Sequence, residues 1–192
     1  METTNGRNIV YNIKSDIFKP YGFDTCACIE SDYRNPTNTM IYSYFLQPAD
    51  TKANTKYTIS CYVYIPDGTK ISSEYGIPIV AERSCKWLSY SSELAYSNYA
   101  ICAKTTGKVV WMWGVVQSAN DGLYLMFYPN RNSDKTTVFP TGSKFYFTGV
   151  NIHEGEDVYR PTYSGDTSGI FTIPGTKSIY TNKIEFDDII EL

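Results

Sequence analysis

KFYFTGVNIHEGEDVYRPTY, residues 144–163, decides how the rest of the chain is read. Residues 144–153 are a strand by composition, rich in aromatic and β-branched side chains. Successive side chains of a strand point to opposite faces. Strict alternation therefore puts Tyr146, Thr148, Val150 and Ile152 on one face and Phe145, Phe147, Gly149, Asn151 and His153 on the other. The acidic turn Glu154-Gly155-Glu156-Asp157 closes the strand, and an extended Val-Tyr-Arg-Pro run leaves it.

The same grammar extends outward in both directions. YTISCYVYI, residues 57–65, alternates most cleanly, with Tyr57, Ile59, Cys61, Val63 and Ile65 on one face and Thr58, Ser60, Tyr62 and Tyr64 on the other. Residues 8–18, 23–30, 40–46, 108–117, 123–128 and 136–139 read as further strands. Residues 85–88 and 99–104 are weaker ones around a Ser/Tyr-rich loop. Gly76 and Pro78 confine residues 71–81 to a sheet edge, because proline has no N–H for a ladder. Asn120-Asp121-Gly122 reads as a hairpin turn joining residues 108–117 to 123–128. No long segment carries helical periodicity, and turn residues recur every 8–12 positions or so, so the fold class is all-β, an antiparallel sandwich or barrel.

Composition narrows the function. The chain has 192 residues and 42% hydrophobic content, enough for one core. Net charge is −3, which argues against nucleic-acid binding through a basic patch and against a polybasic membrane contact. The first residues, METTNGR, lack an apolar signal core, and no window is apolar enough to span a membrane. Five cysteines, an odd number without a C-x-x-C pair, sit in apolar flanks and read as buried free thiols of a reducing compartment. Aromatic content of 16%, with 18 tyrosines, suits cross-strand packing and interfaces.

Three motifs, NIVYNIKSDIF, ANTKYTISCYVYI and FYFTGVNIHEGEDVYRPTY, occur in an order and spacing that resemble the carbohydrate-binding-module-like jelly-roll domains of bacteriophage virion proteins. Ala53-Asn54-Thr55-Lys56-Tyr57-Thr58-Ile59-Ser60 carries the middle motif, and Val150-Asn151-Ile152-His153-Glu154-Gly155 the late one. The tryptophan usual early in that family's pattern is not in its place. The resemblance covers about residues 8–163. It implies a flexible leader (1–7), a jelly-roll β-sandwich (8–163), and a C-terminal extension (164–192) used in assembly. It further implies a non-enzymatic capsid-decoration, tail or fibre protein, made in the host cytoplasm without a signal peptide and located on the virion. Its partners would be other capsid or tail subunits, and host-surface or mucosal glycans.

Candidate sites follow from chemistry. Tyr62 and Tyr64, with Tyr42 and Tyr44 expected on a neighbouring strand, form an aromatic platform of the kind that stacks on sugar rings. The competing reading is that this face is covered by a loop or another subunit, and the number of tyrosines favours the covered reading. Ile170, Phe171, Ile173, Ile184 and Phe186 are the apolar partner contacts of the extension. Trp111 and Trp113 share a face with Val109 and Val115 and are assigned to the core, while Trp87, Tyr90, Tyr96 and Tyr99 flank a loop. His153, the sole histidine, is expected as a solvated turn residue, so no histidine-based catalytic system is assembled. Glu154/Glu156 and Asp187/Asp188 are acid pairs that suit a glycoside hydrolase or lyase least well among these readings. No cofactor or metal is called for, although Glu30, Asp32 and Asn35 offer oxygen ligands suited to a structural calcium ion.

Overall fold

Strand-forming side chains punctuated by Gly, Pro, Asn and Asp produce sheets. A computed structural model describes residues 7–32, 44–46, 51–71, 76–81, 83–91, 94–96, 99–127, 142–160 and 189–191. Among them are the strands β1 (Arg7–Lys14), β2 (Thr25–Asp32), β3 (Tyr44–Leu46), β4 (Lys56–Tyr64), β5 (Ile77–Ala81), β6 (Lys86–Tyr90), β7 (Leu94–Tyr96), β8 (Ala100–Ala103), β9 (Val109–Gln117), β10 (Leu125–Phe127), β11 (Lys144–Glu154) and β12 (Ile189–Glu191). The order is β12-β1-β2-β11-β4-β9-β6 in a seven-stranded sheet and β3-β10-β5-β8-β7 in a five-stranded one. Every pairing is antiparallel except β1 with β12, which is parallel. The protein is all-β.

One buried cluster draws on both sheets. Ile59, Cys61 and Val63 of β4, Met112 and Val116 of β9, and Phe145 and Phe147 of β11 meet Ile77, Ile79, Ile101 and Leu125 of the other sheet. Burying each of these side chains contributes about 1.5–3 kcal/mol. A second cluster covers the far face of the seven-stranded sheet. There a 3-10 helix (Asp16–Tyr21), capped by Ser15 and ended by Gly22 at φ 92°, lays Phe18 on Ile13, Cys26, Cys28, Tyr62 and Tyr146. The wide sheet is thus packed on both sides, which explains why β4 reads buried at nearly every position.

Several expectations change. The period-two pattern of β11 holds through Thr148 and then inverts, because the register against β4 shifts between Thr148 and Asn151. Gly149, at φ 62°, supplies the left-handed residue of a β-bulge, which adds one residue to its strand. Ile152 joins Phe145 and Phe147 in the core. Asn151 and His153 pair with Ser60 and Thr58, beyond Thr148 opposite Tyr62. The Asn120-Asp121-Gly122 turn forms, with Ala119 and Gly122 exchanging backbone hydrogen bonds at 3.1 and 3.2 Å. It does not make a hairpin, because β9 and β10 belong to different sheets. β5 is not an edge: it pairs with β8 and β10. Pro78 is accommodated because the described β10 ladder covers only Ile79 to Ala81.

None of the five cysteines is in a disulfide, and all are buried. Burial pushes the thiols of Cys61 and Cys102 up to about 12. Cys26 is pushed up to about 12 by burial and, secondarily, by Cys28 beside it.

Candidate functional site

Cross-strand partners share a face, so the register fixes what surrounds Tyr62. Tyr62 stands opposite Trp111 on β9 and Thr148 on β11; Tyr64 stands opposite Val109 and Tyr146. Trp111 and Trp113 therefore lie on this outer face and are half-buried. They are not in the core between the sheets, where Met112 and Val116 face instead. Gly114 explains the inner side: a Cβ there would lie 2.4 Å from the Trp87 ring, so the ring seats directly on the β9 backbone.

Tyr62 is only 2% exposed. Tyr21 and Phe23 cover it, with ring centroids at 4.9 and 5.7 Å, and burial raises the pKa of its hydroxyl despite the opposing pull of Arg160. Tyr64 is half-buried and packs on Tyr146 at 6.1 Å. Tyr44 lies on β3 in the five-stranded sheet and so is not beside Tyr62 and Tyr64. Tyr42 lies outside the described residues, as do Ile170, Phe171, Ile173, Ile184, Phe186, Asn35, Asp187 and Asp188.

A strap formed by residues 155–160 completes the cover. Gly155 N donates to Lys56 O at 2.9 Å, and Thr58 Oγ1 donates to Gly155 O at 2.8 Å. His153 is 4% exposed, not solvated. The bulge moved it to the outer face, under the strap, where Nε2 donates to Asp157 O at 2.8 Å, Nδ1 accepts from Asn151 Nδ2 at 3.4 Å, and Tyr159 stacks on the ring at 4.9 Å. Arg160 lies 4.9 Å over the Trp111 ring. The acids of the turn are held by cations: Lys52 reaches Glu154 at 2.8 Å, and Lys56 bonds Glu156. Glu30 pairs with Lys144 at 3.5 Å, and among the described residues no group of three acids, histidines or cysteines could hold a metal ion.

Sequence reasoning missed a second place, a cleft of about 430 Å³ lined by Asn54, Arg83, Ser84, Lys86, Gln117, Ser118, Ala119, Asn120 and Asp121. Three turns build it. Asn54 N donates to Ala119 O at 3.2 Å, Thr55 N to Ser118 Oγ at 2.9 Å, and Leu123 N to Thr51 Oγ1 at 2.9 Å. The Cys85 thiol donates to Gly122 O at 3.6 Å beneath them. Arg83 bonds Asp121 at 2.9 Å and lies 4.0 Å over the Tyr124 ring. The readable signals were the Asn-Thr and Asn-Asp-Gly turns, but only the crossing of three linkers between the sheets, β3 to β4, β5 to β6 and β9 to β10, brings them together.

Comparisons with protein-family models, with curated proteins and with solved structures gave no match to this chain.

Proposed function

We propose that the chain is a non-enzymatic structural module of a bacteriophage virion, a jelly-roll β-sandwich carried as a capsid-decoration, tail or fibre component. The observation that carries the reading is β12. Its residues Ile189–Glu191 pair in parallel with Asn12–Lys14 at the edge of the wide sheet. Addition to a sheet edge gains main-chain hydrogen bonds without a pre-shaped pocket, a mode by which a terminal segment joins one subunit to another. The motif resemblance over residues 8–163 supports the same reading. So does the sealing of the Tyr62 face by Tyr21, Phe23 and the strap, since a sugar stacked there would have to displace three elements of the protein's own chain. The sole imidazole is engaged in holding the strap. The partners are other virion subunits, and the apolar residues Ile170, Phe171, Ile173, Ile184 and Phe186 are the contacts proposed for them.

Deleting Ile170–Leu192 tests this. β1 keeps its eight-residue ladder with β2, so the truncated chain folds as a monomer, and it is absent from purified particles. Normal incorporation of the truncated chain would overturn the anchoring role.

A further inference from the structure

We infer that the cleft between residues 54, 83–86 and 117–121 is a binding site for a carboxylate-bearing sugar unit, a role separate from the structural one. Four observations carry this. The cleft's volume, about 430 Å³, falls in the range of sites for small molecules. Its lining places mixed hydrogen-bonding groups beside apolar surface: the amides of Asn54, Gln117 and Asn120 and the hydroxyl of Ser84. Amides present a donor and an acceptor side by side, which matches neighbouring hydroxyls of a polyol. Asn54 Nδ2 already donates to Asn120 Oδ1 at 3.1 Å, which leaves Asn54 Oδ1 to accept and Asn120 Nδ2 to donate.

Charge selects within the polyols. The lining holds two cations, Arg83 and Lys86, and one carboxylate, Asp121. Asp121 is engaged by Arg83, and among the described residues Lys86 has no carboxylate partner. The unmatched charge at the cleft is therefore positive, and a ligand carboxylate satisfies it.

Backbone conformation is the fourth observation. Asn54 (φ 51°), Arg83 (φ 53°) and Ser84 (φ 66°) are the non-glycine residues at positive φ among the described ones, and all three line this cleft. Consecutive left-handed residues in a turn favour Asn-Gly. Keeping Arg-Ser there retains two side chains at a conformational cost, and such strain gathers where side chains have work beyond packing.

The test is a titration of the full chain followed by amide chemical shifts, with three probes: glucuronate, glucose and acetate. Glucuronate is expected to shift Ser84, Gln117 and Asn120 saturably in the millimolar range, with glucose roughly tenfold weaker and acetate weaker still. Lys86→Ala, which removes an exposed side chain and leaves thermal unfolding unchanged, is expected to abolish the preference for glucuronate over glucose. Asn120→Ala weakens both sugars. No saturable shift with glucuronate, acetate binding as well as glucuronate, or an unchanged preference in Lys86→Ala would each overturn the proposal. Particle incorporation of Lys86→Ala stays normal if the structural role stands, so the two ideas fail separately.

Discussion

The outer face around Tyr62 and the cleft around Lys86 both gather polar and aromatic side chains, and they differ in what completes them. On the face, the protein supplies its own cover: the 3-10 helix lays Tyr21 on Tyr62, and the strap lays Tyr159 on His153 and Arg160 on Trp111. At the cleft, three turns are stitched to one another beneath an open rim, and strained residues point their chemistry outward to solvent. The lesson is that aromatic density alone does not mark a binding surface. Burial decides: where a ring is enclosed, its contribution goes to stability, and recognition falls to groups left accessible.

The contrast is broken most severely by alkali. Thiols of the unfolded chain titrate near 9.0, whereas Cys26, Cys61 and Cys102 are held at about 12 in the fold. The folded state then binds more protons than the unfolded state, so stability is intact below pH ~9 and is lost as pH rises toward ~12. With three thiols contributing, the loss reaches as much as about 4 kcal/mol per pH unit. Urea midpoints measured from pH 8 to 11 check this, and Cys61→Ala is expected to reduce the slope by about a third.

Gly149→Ala strikes the bulge on which the sealed face depends. A Cβ there would meet Phe23 Cζ at 2.7 Å and Tyr62 Cδ2 at 3.1 Å, at a φ of 62°. The left-handed penalty and the overpacking together cost about 3 kcal/mol, to be read from denaturant unfolding. His153→Ala removes the Asp157 bond and the Tyr159 stack. It is expected to cost about 2 kcal/mol and to shift tryptophan emission to the red as the strap releases Trp111. The smallest effect is expected at the cleft. Ser84→Gly relieves the left-handed strain at the cleft and stabilises the fold by about 0.5 kcal/mol, the strain relief outweighing glycine's extra entropy.

Local patterning made the strands legible where both neighbours obey the same period. Tyr57, Ile59, Cys61, Val63 and Ile65 all face the core as their alternation predicts. The pattern failed on β11 because a bulge changes parity without changing composition. The lone Gly149 inside a strand was its one visible signal. Trp111 and Trp113 were misplaced because apolar side chains line both faces of a sheet covered on both sides. The Asn-Asp-Gly turn was identified correctly as a turn, but which sheet receives the next strand depends on contacts far along the chain. The cleft was invisible for that same reason: residues 54, 83–86 and 117–121 meet only through three crossings between sheets.

The Tyr62 face is closed by the protein's own chain. Hydroxyl-radical labelling of the intact protein, read by mass spectrometry residue by residue, tests it most directly. Tyr62, 2% exposed, is expected to be strongly protected, while Tyr90 and Tyr99, 40% and 46% exposed, label rapidly. Labelling of Tyr62 at the rate of Tyr99 would contradict the closed face and return it to the status of an open aromatic platform.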